Sequence, residues 1–237
     1  MIKALILLLK GAKFGKLLVT GGSMLLSVIT YSFIFGWQYA LGFVLLIFIH
    51  EMGHYIACQQ RGLPVGPITF IPFVGAWIQL KEMPMNVETE AYVAVAGPLA
   101  GTVAAYACYW AAETYDSRLL LALAYAGFFL NLFNLIPLKP FDGGRVASIL
   151  TRHVWLIGAP LMLGYFLYHP SPMLLVILLL NAGAIWGAIQ GHGEDQRYHD
   201  VPTSTRVNYG VLYLGLCAYL AVMSFEVYDK LGVLRSH

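Results

Sequence analysis

His50, Glu51 and His54 stand in the order His-Glu-x-x-His, directly after a run that is apolar from Ala40 to Ile49. Residues four apart on a helix project from nearly the same face, so the two imidazoles can close on one metal ion. Zinc suits such a site, and Glu51, beside that face, is placed to take a proton from water that the metal activates. An ionisable side chain within a membrane helix costs about 2.5–3.5 kcal/mol on insertion scales, so its presence marks a functional site. A catalytic zinc has three protein ligands and an open fourth position, so one more donor must come from elsewhere in the chain. Asp142 is the best placed of the twelve carboxylates. It follows a helix that Pro137 and Pro140 stop, and Gly143 and Gly144 would free the backbone to turn after it. Asp116, Asp195, Asp200, Asp229, Glu194 and Glu226 sit in loops or near span ends with no partner motif.

The elements that must position these groups are membrane helices. Of 237 residues, 59% are hydrophobic and 11% charged, and the mean hydropathy is +0.71, which excludes a soluble domain. The apolar runs are too long and uniform for barrel strands, so helices satisfy the backbone in lipid. The expected fold is an all-α multi-pass membrane protein of about six to seven transmembrane helices, with spans near 17–35, 39–58, 91–112, 118–136, 154–168, 173–190 and 209–227. Residues 62–86 are different in kind, because Pro, Gly, β-branched and aromatic residues alternate there without a helical period. A small β-hairpin or re-entrant loop is expected, of the kind tolerated at membrane depth only where it is buried or lines a watery cavity.

The domain reading has an N-terminal cytoplasmic or interfacial segment at 1–16, where four lysines flank a leucine run. A single membrane-embedded domain follows at 17–228, and then a tail at 229–237. A cleavable signal peptide is not expected, because Lys10, Lys13 and Lys16 break the first apolar stretch. With the N-terminus cytoplasmic, eleven of the 14 basic residues fall inside, as the positive-inside rule requires. That orientation brings the end of the second span and Asp142 to the same side. Counting back from Arg61, His54 lies about 10 Å and His50 about 16 Å below that end. Cys58, Cys108 and Cys217 lack metal or disulfide spacing and read as small buried hydrophobes. His153, His169, His192, His199 and His237 read as solvated residues, and the small residues Ala96 to Gly101 as helix packing.

HEMGH together with NLIPLKPFDGG resembles the site-2 protease family of intramembrane zinc metalloproteases, whose second motif runs Asn-x-x-Pro followed by Asp-Gly. The likeness covers about residues 39–145 and includes Ala96, Gly97 and Pro98. It implies His50, His54 and Asp142 as ligands of one zinc ion and Glu51 as the catalytic base. It also implies Asn134 as a residue that holds substrate or stabilises the oxyanion. Gly101 departs from the family, many members of which carry asparagine there, and the PDZ insert and CBS domain of some branches are not expected.

The expected activity is hydrolysis of peptide bonds within or near transmembrane segments, with a transmembrane protein or peptide as substrate, the lipid bilayer as surroundings and no nucleic-acid partner. The residues leave the oligomeric state open. The expected location is a prokaryotic plasma membrane, with the site opening on the cytoplasmic side. Two rivals are a membrane metal transporter, which has no use for a base between its histidines and shows no internal repeat, and a non-catalytic membrane scaffold, which has no need of all four residues.

Overall fold

The computed structural model describes residues 2–151, 153, 155–171, 174, 175, 178, 179, 181, 182 and 196–233. The chain opens with two long helices, α1 (Ile2–Phe35) and α2 (Trp37–Gln60), and Gly36, at φ 81°, allows the reversal between them. Helix α3 (Val87–Tyr115) starts at Asn86, whose side chain accepts from the Thr89 amide at 2.8 Å, and carries Glu88 and Glu90 in its positive first turn. Helices α4 (Arg118–Asn134), α5 (Asp142–Ala147) and α6 (Trp155–Tyr168) follow. A 3-10 turn at Gln196–His199 leads into α7 (Thr203–Val233).

Among the described residues, four stretches are long and apolar enough to cross a bilayer: Phe14–Phe35 within α1, Trp37–Gln60, Val87–Tyr115 and Thr203–Gly232. The chain is therefore an integral membrane protein. At 17 and 14 residues, α4 and α6 extend only about 26 and 21 Å, short of the roughly 30 Å hydrocarbon core. Helix α4 is short because Pro137 blocks its continuation, which leaves its last residue, Asn134, inside the protein. The span expected at 173–190 lies mostly outside the described residues; those within it that are described are helical.

Two expected boundaries shift. Helix α1 runs unbroken through Lys16 and Leu17, where a separate interfacial segment was expected to end. Helix α7 starts at Thr203 and continues through residues 229–233, so part of the expected loop and tail is helical.

Residues 62–86 form the expected hairpin. Strands β1 (Val65–Ile71) and β2 (Gly75–Leu80) pair antiparallel, with Ile68 opposite Ile78 and Phe70 opposite Ala76. Helix α1 covers the outer edge of β1 with a stripe of polar side chains. Lys16 Nζ donates to the Val65 carbonyl at 2.6 Å, and Thr20 Oγ1 to that of Ile68 at 2.8 Å. Ser23 Oγ accepts from the Phe70 amide and Tyr31 Oη from that of Phe73. Spacings of four, three and eight residues put these groups on one helix face, so a helix does the work of a third strand.

Two apolar clusters hold the frame. Tyr31, Ala40, Val44 and Ile47 bury Ile68 and Phe70, docking the hairpin on α1 and α2. Ala94, Ala105, Ala124 and Phe128 from α3 and α4 pack with Tyr213, Leu216 and Leu220 of α7.

Candidate metal centre

His50 and His54, one turn apart on α2, meet Asp142 at the first position of α5. His50 Nε2 lies 3.1 Å from Asp142 Oδ2, His54 Nε2 lies 3.2 Å from the same oxygen, and the two Nε2 atoms are 3.1 Å apart. A tetrahedral ion with bonds of about 2.0–2.1 Å has ligand edges of about 3.3–3.4 Å, so this triangle fits three corners and leaves the fourth open. Among the described residues, these are the three that could hold a metal together.

The tautomers follow from the outer partners. Asn131 Nδ2 donates to the Gly127 carbonyl at 2.7 Å, which turns its Oδ1 toward His50 Nδ1 at 2.8 Å. Since an amide oxygen can only accept, His50 carries its proton on Nδ1. His54 Nδ1 faces the Val93 carbonyl at 2.8 Å and is protonated by the same reasoning. Both Nε2 lone pairs therefore point at each other and at a carboxylate oxygen. One proton can bridge only one pair among three such acceptors, whereas a metal cation satisfies all three. The donor set fits zinc in chemistry as well as spacing.

Asp142 lies outside the spanning helices. To serve as a ligand its carboxyl must be ionised.

Room for the imidazoles comes from small residues that the sequence reading assigned to helix packing. A Cβ on Gly53 would overlap the Ala96 carbonyl, so α2 and α3 touch backbone to backbone between the two histidines. A Cβ on Gly97 would overlap the His54 ring, and one on Gly101 the Asn131 amide. Pro98, inside α3, cannot donate to the Ala94 carbonyl. Gly143 and Gly144 also differ from expectation. Neither has a positive φ; a Cβ on either would strike the backbone of Leu135 or Leu138. They let the chain fold back on itself rather than turn freely. Tyr213 Oη on α7 secures that fold-back by donating to the Leu135 carbonyl at 2.6 Å.

Glu51 is 7% exposed and lines the same cavity, without a hydrogen bond or ion pair among the described residues. Asn134 also lines it, from the end of α4, and its amide makes no hydrogen bond among the described residues. The cavity measures about 150 Å³ and is walled on one side by Ala76, Trp77, Ile78 and Leu80 of β2. Cys58, read from the sequence as a small buried hydrophobe, and Arg145, to which the sequence reading assigned no role in the site, also line it. The cysteines are free, as expected. His153 and His169 are exposed and away from the cavity, His199 is half-buried in the 3-10 turn, and His192 and His237 lie outside the described residues.

The model of peptidase family M50 matches residues 38–117, the segment that holds both histidines, Glu51 and the glycines of α3. A zinc metalloprotease of Methanocaldococcus jannaschii is 27% identical over 180 residues, covering 70% of this chain and 52% of the relative. The chain thus spans about half the length of the curated relative it matches. A solved site-2 protease from Methanocaldococcus jannaschii aligns over 76% of this chain and 87% of that one, at 24% identity and a TM-score of 0.47. The segment that carries both histidines and Glu51 is thus similar to peptidase family M50.

Proposed function

We propose that the chain is an intramembrane zinc metalloprotease that hydrolyses peptide bonds within or near transmembrane segments of other membrane proteins. His50, His54 and Asp142 hold one zinc ion, Glu51 is the general base, and Asn134 contacts the peptide being cut. The observation that carries this reading is the convergence of three lone-pair donors beside a buried, unpartnered carboxylate, on helices fit to span a bilayer. The matched relative's description as a zinc metalloprotease supports it.

Zinc bound there supplies Lewis acidity, lowering the pKa of water to about 7 and polarising a carbonyl. Glu51 takes the proton of the attacking water and returns it to the leaving amine. The Asn134 amide donates to the carbonyl oxygen as negative charge builds on it. Peptide bonds in a membrane helix are hidden by their own hydrogen bonds, so the substrate span unwinds before attack, and its extended backbone pairs along β2, whose partner strand is already covered by α1.

Residues 17–228 act as one membrane-embedded unit with its catalytic core at 39–145. The N-terminus and the opening of the site face the cytoplasm of a prokaryotic cell. The test is Glu51→Gln on purified protein with a transmembrane peptide. Zinc content is expected to be retained and cleavage to fall by about 10²–10⁴-fold, the usual contribution of a general base. Zinc flux that survives the substitution would point to a transporter and overturn the reading.

A further inference from the structure

Asn131 lies on α4, three residues before the Asn134 that the sequence motif singles out, and it is 1% exposed. Both ends of its amide are engaged, the nitrogen by the Gly127 carbonyl and the oxygen by His50 Nδ1. The amide occupies the space in which a side chain on Gly101 of α3 would begin, since a Cβ there would overlap its Oδ1, Nδ2 and Cγ. One pocket between α2, α3 and α4 thus holds a single amide, and either of two helices could supply it. We infer that Asn131 is the positioning residue of His50, and that Gly101 and Asn131 are a matched pair in which the glycine makes room for the amide. The amide selects the His50 tautomer with its proton on Nδ1 and fixes the ring's rotation, so that Nε2 points at His54 Nε2 and Asp142 Oδ2.

The link from His50 to zinc rests on the function proposed above; the link from Asn131 to the tautomer does not. The amide's anchoring gives the assignment its direction. Because Asn131 Nδ2 is held by a carbonyl on its own helix, the amide cannot flip to offer a donor to His50. Removing a partner of this kind typically weakens a metal site by about 10–100-fold.

Two measurements on the full chain in detergent test this. The first is zinc affinity by chelator competition. Asn131→Leu should bind about 10–100-fold more weakly than the parent, while the zinc-free protein keeps its helix content. Asn131→Asp, which retains an acceptor toward Nδ1, should stay within about fivefold of the parent. Gly101→Asn alone should behave like Asn131→Leu, because two side chains compete for one space. Gly101→Asn combined with Asn131→Gly should recover most of the loss. The second measurement is the tautomer of His50 in zinc-free protein, read from nitrogen chemical shifts of labelled histidine. It should be a single form in the parent and a mixture in Asn131→Leu.

Asn131→Leu at parental affinity, Asn131→Asp as weak as Asn131→Leu, or a double variant no better than Gly101→Asn would overturn the pairing. Should Asn131→Leu fail to fold, the Asp and double variants decide. A parent that takes up no zinc sinks the proposed function, and the tautomer measurement then still decides this inference.

Discussion

A few side chains set the chemistry, and the tightest constraint on them is steric. The His54 ring lies where a side chain on Gly97 would have to be, with rigid helices behind both. Gly97→Ala is therefore expected to displace His54, the proposed zinc ligand, while leaving the helices intact. Zinc affinity should fall at least about tenfold, as for other changes that misplace a ligand, with little change in circular dichroism. An unaltered affinity would mean that the ring has slack the geometry does not show. Stripping zinc with a chelator should abolish cleavage, and re-adding one equivalent should restore it; activity that survives exhaustive stripping would exclude the mechanism. His50, Glu51, His54 and Asp142 could be singled out in the sequence because helical periodicity converts a four-residue interval into a shared face, and because carboxylates are scarce among apolar residues. Asn131 could not. An asparagine near a helix end has many roles, and its meaning here depends on a histidine 81 positions away.

Among the elements, the hairpin is the one whose attachment can be tested directly. Lys16, Thr20 and Ser23 bond its outer edge to α1, and each such bond contributes about 1 kcal/mol. The combined change Lys16→Met, Thr20→Val and Ser23→Ala should loosen the docking of β1 by about 2–3 kcal/mol. Faster hydrogen exchange at residues 65–71, without change in α2, would report it. If the proposed β2 edge aligns substrate, cleavage should fall in parallel. Replacing residues 62–86 with a flexible linker should reduce it further, and unchanged turnover would remove that role from the hairpin. Pro, Gly and alternating β-branched residues announced the hairpin itself. The stripe on α1 went unread because each of its members is common in a membrane helix, and their shared purpose appears only when a strand lies alongside.

For the molecule as a whole, the arrangement of charge predicts the orientation. Single cysteines introduced near Arg61 and near Arg118 of a cysteine-free variant should label from opposite sides of the membrane, with Arg61 cytoplasmic. Labelling of both from one side would reverse the proposed topology. In cells, the Glu51→Gln protein should cause single-span membrane polypeptides to accumulate uncut relative to the active chain, and identical membrane proteomes would argue against proteolysis.

From its order of residues alone, the chain is a membrane protein with two histidines at metal-binding spacing on one helix and a second motif bearing a carboxylate. Hydropathy and helical period are local properties, and both can be read along one dimension. The tertiary structure alone decided that Asp142 reaches the histidines, that glycines of α3 are space for an imidazole and an amide, and that Asn131 holds His50. Each depends on contact between helices far apart in the chain. Their crossing is set by how closely the backbones at Gly53 and Ala96 approach, a distance that no stretch of sequence contains by itself.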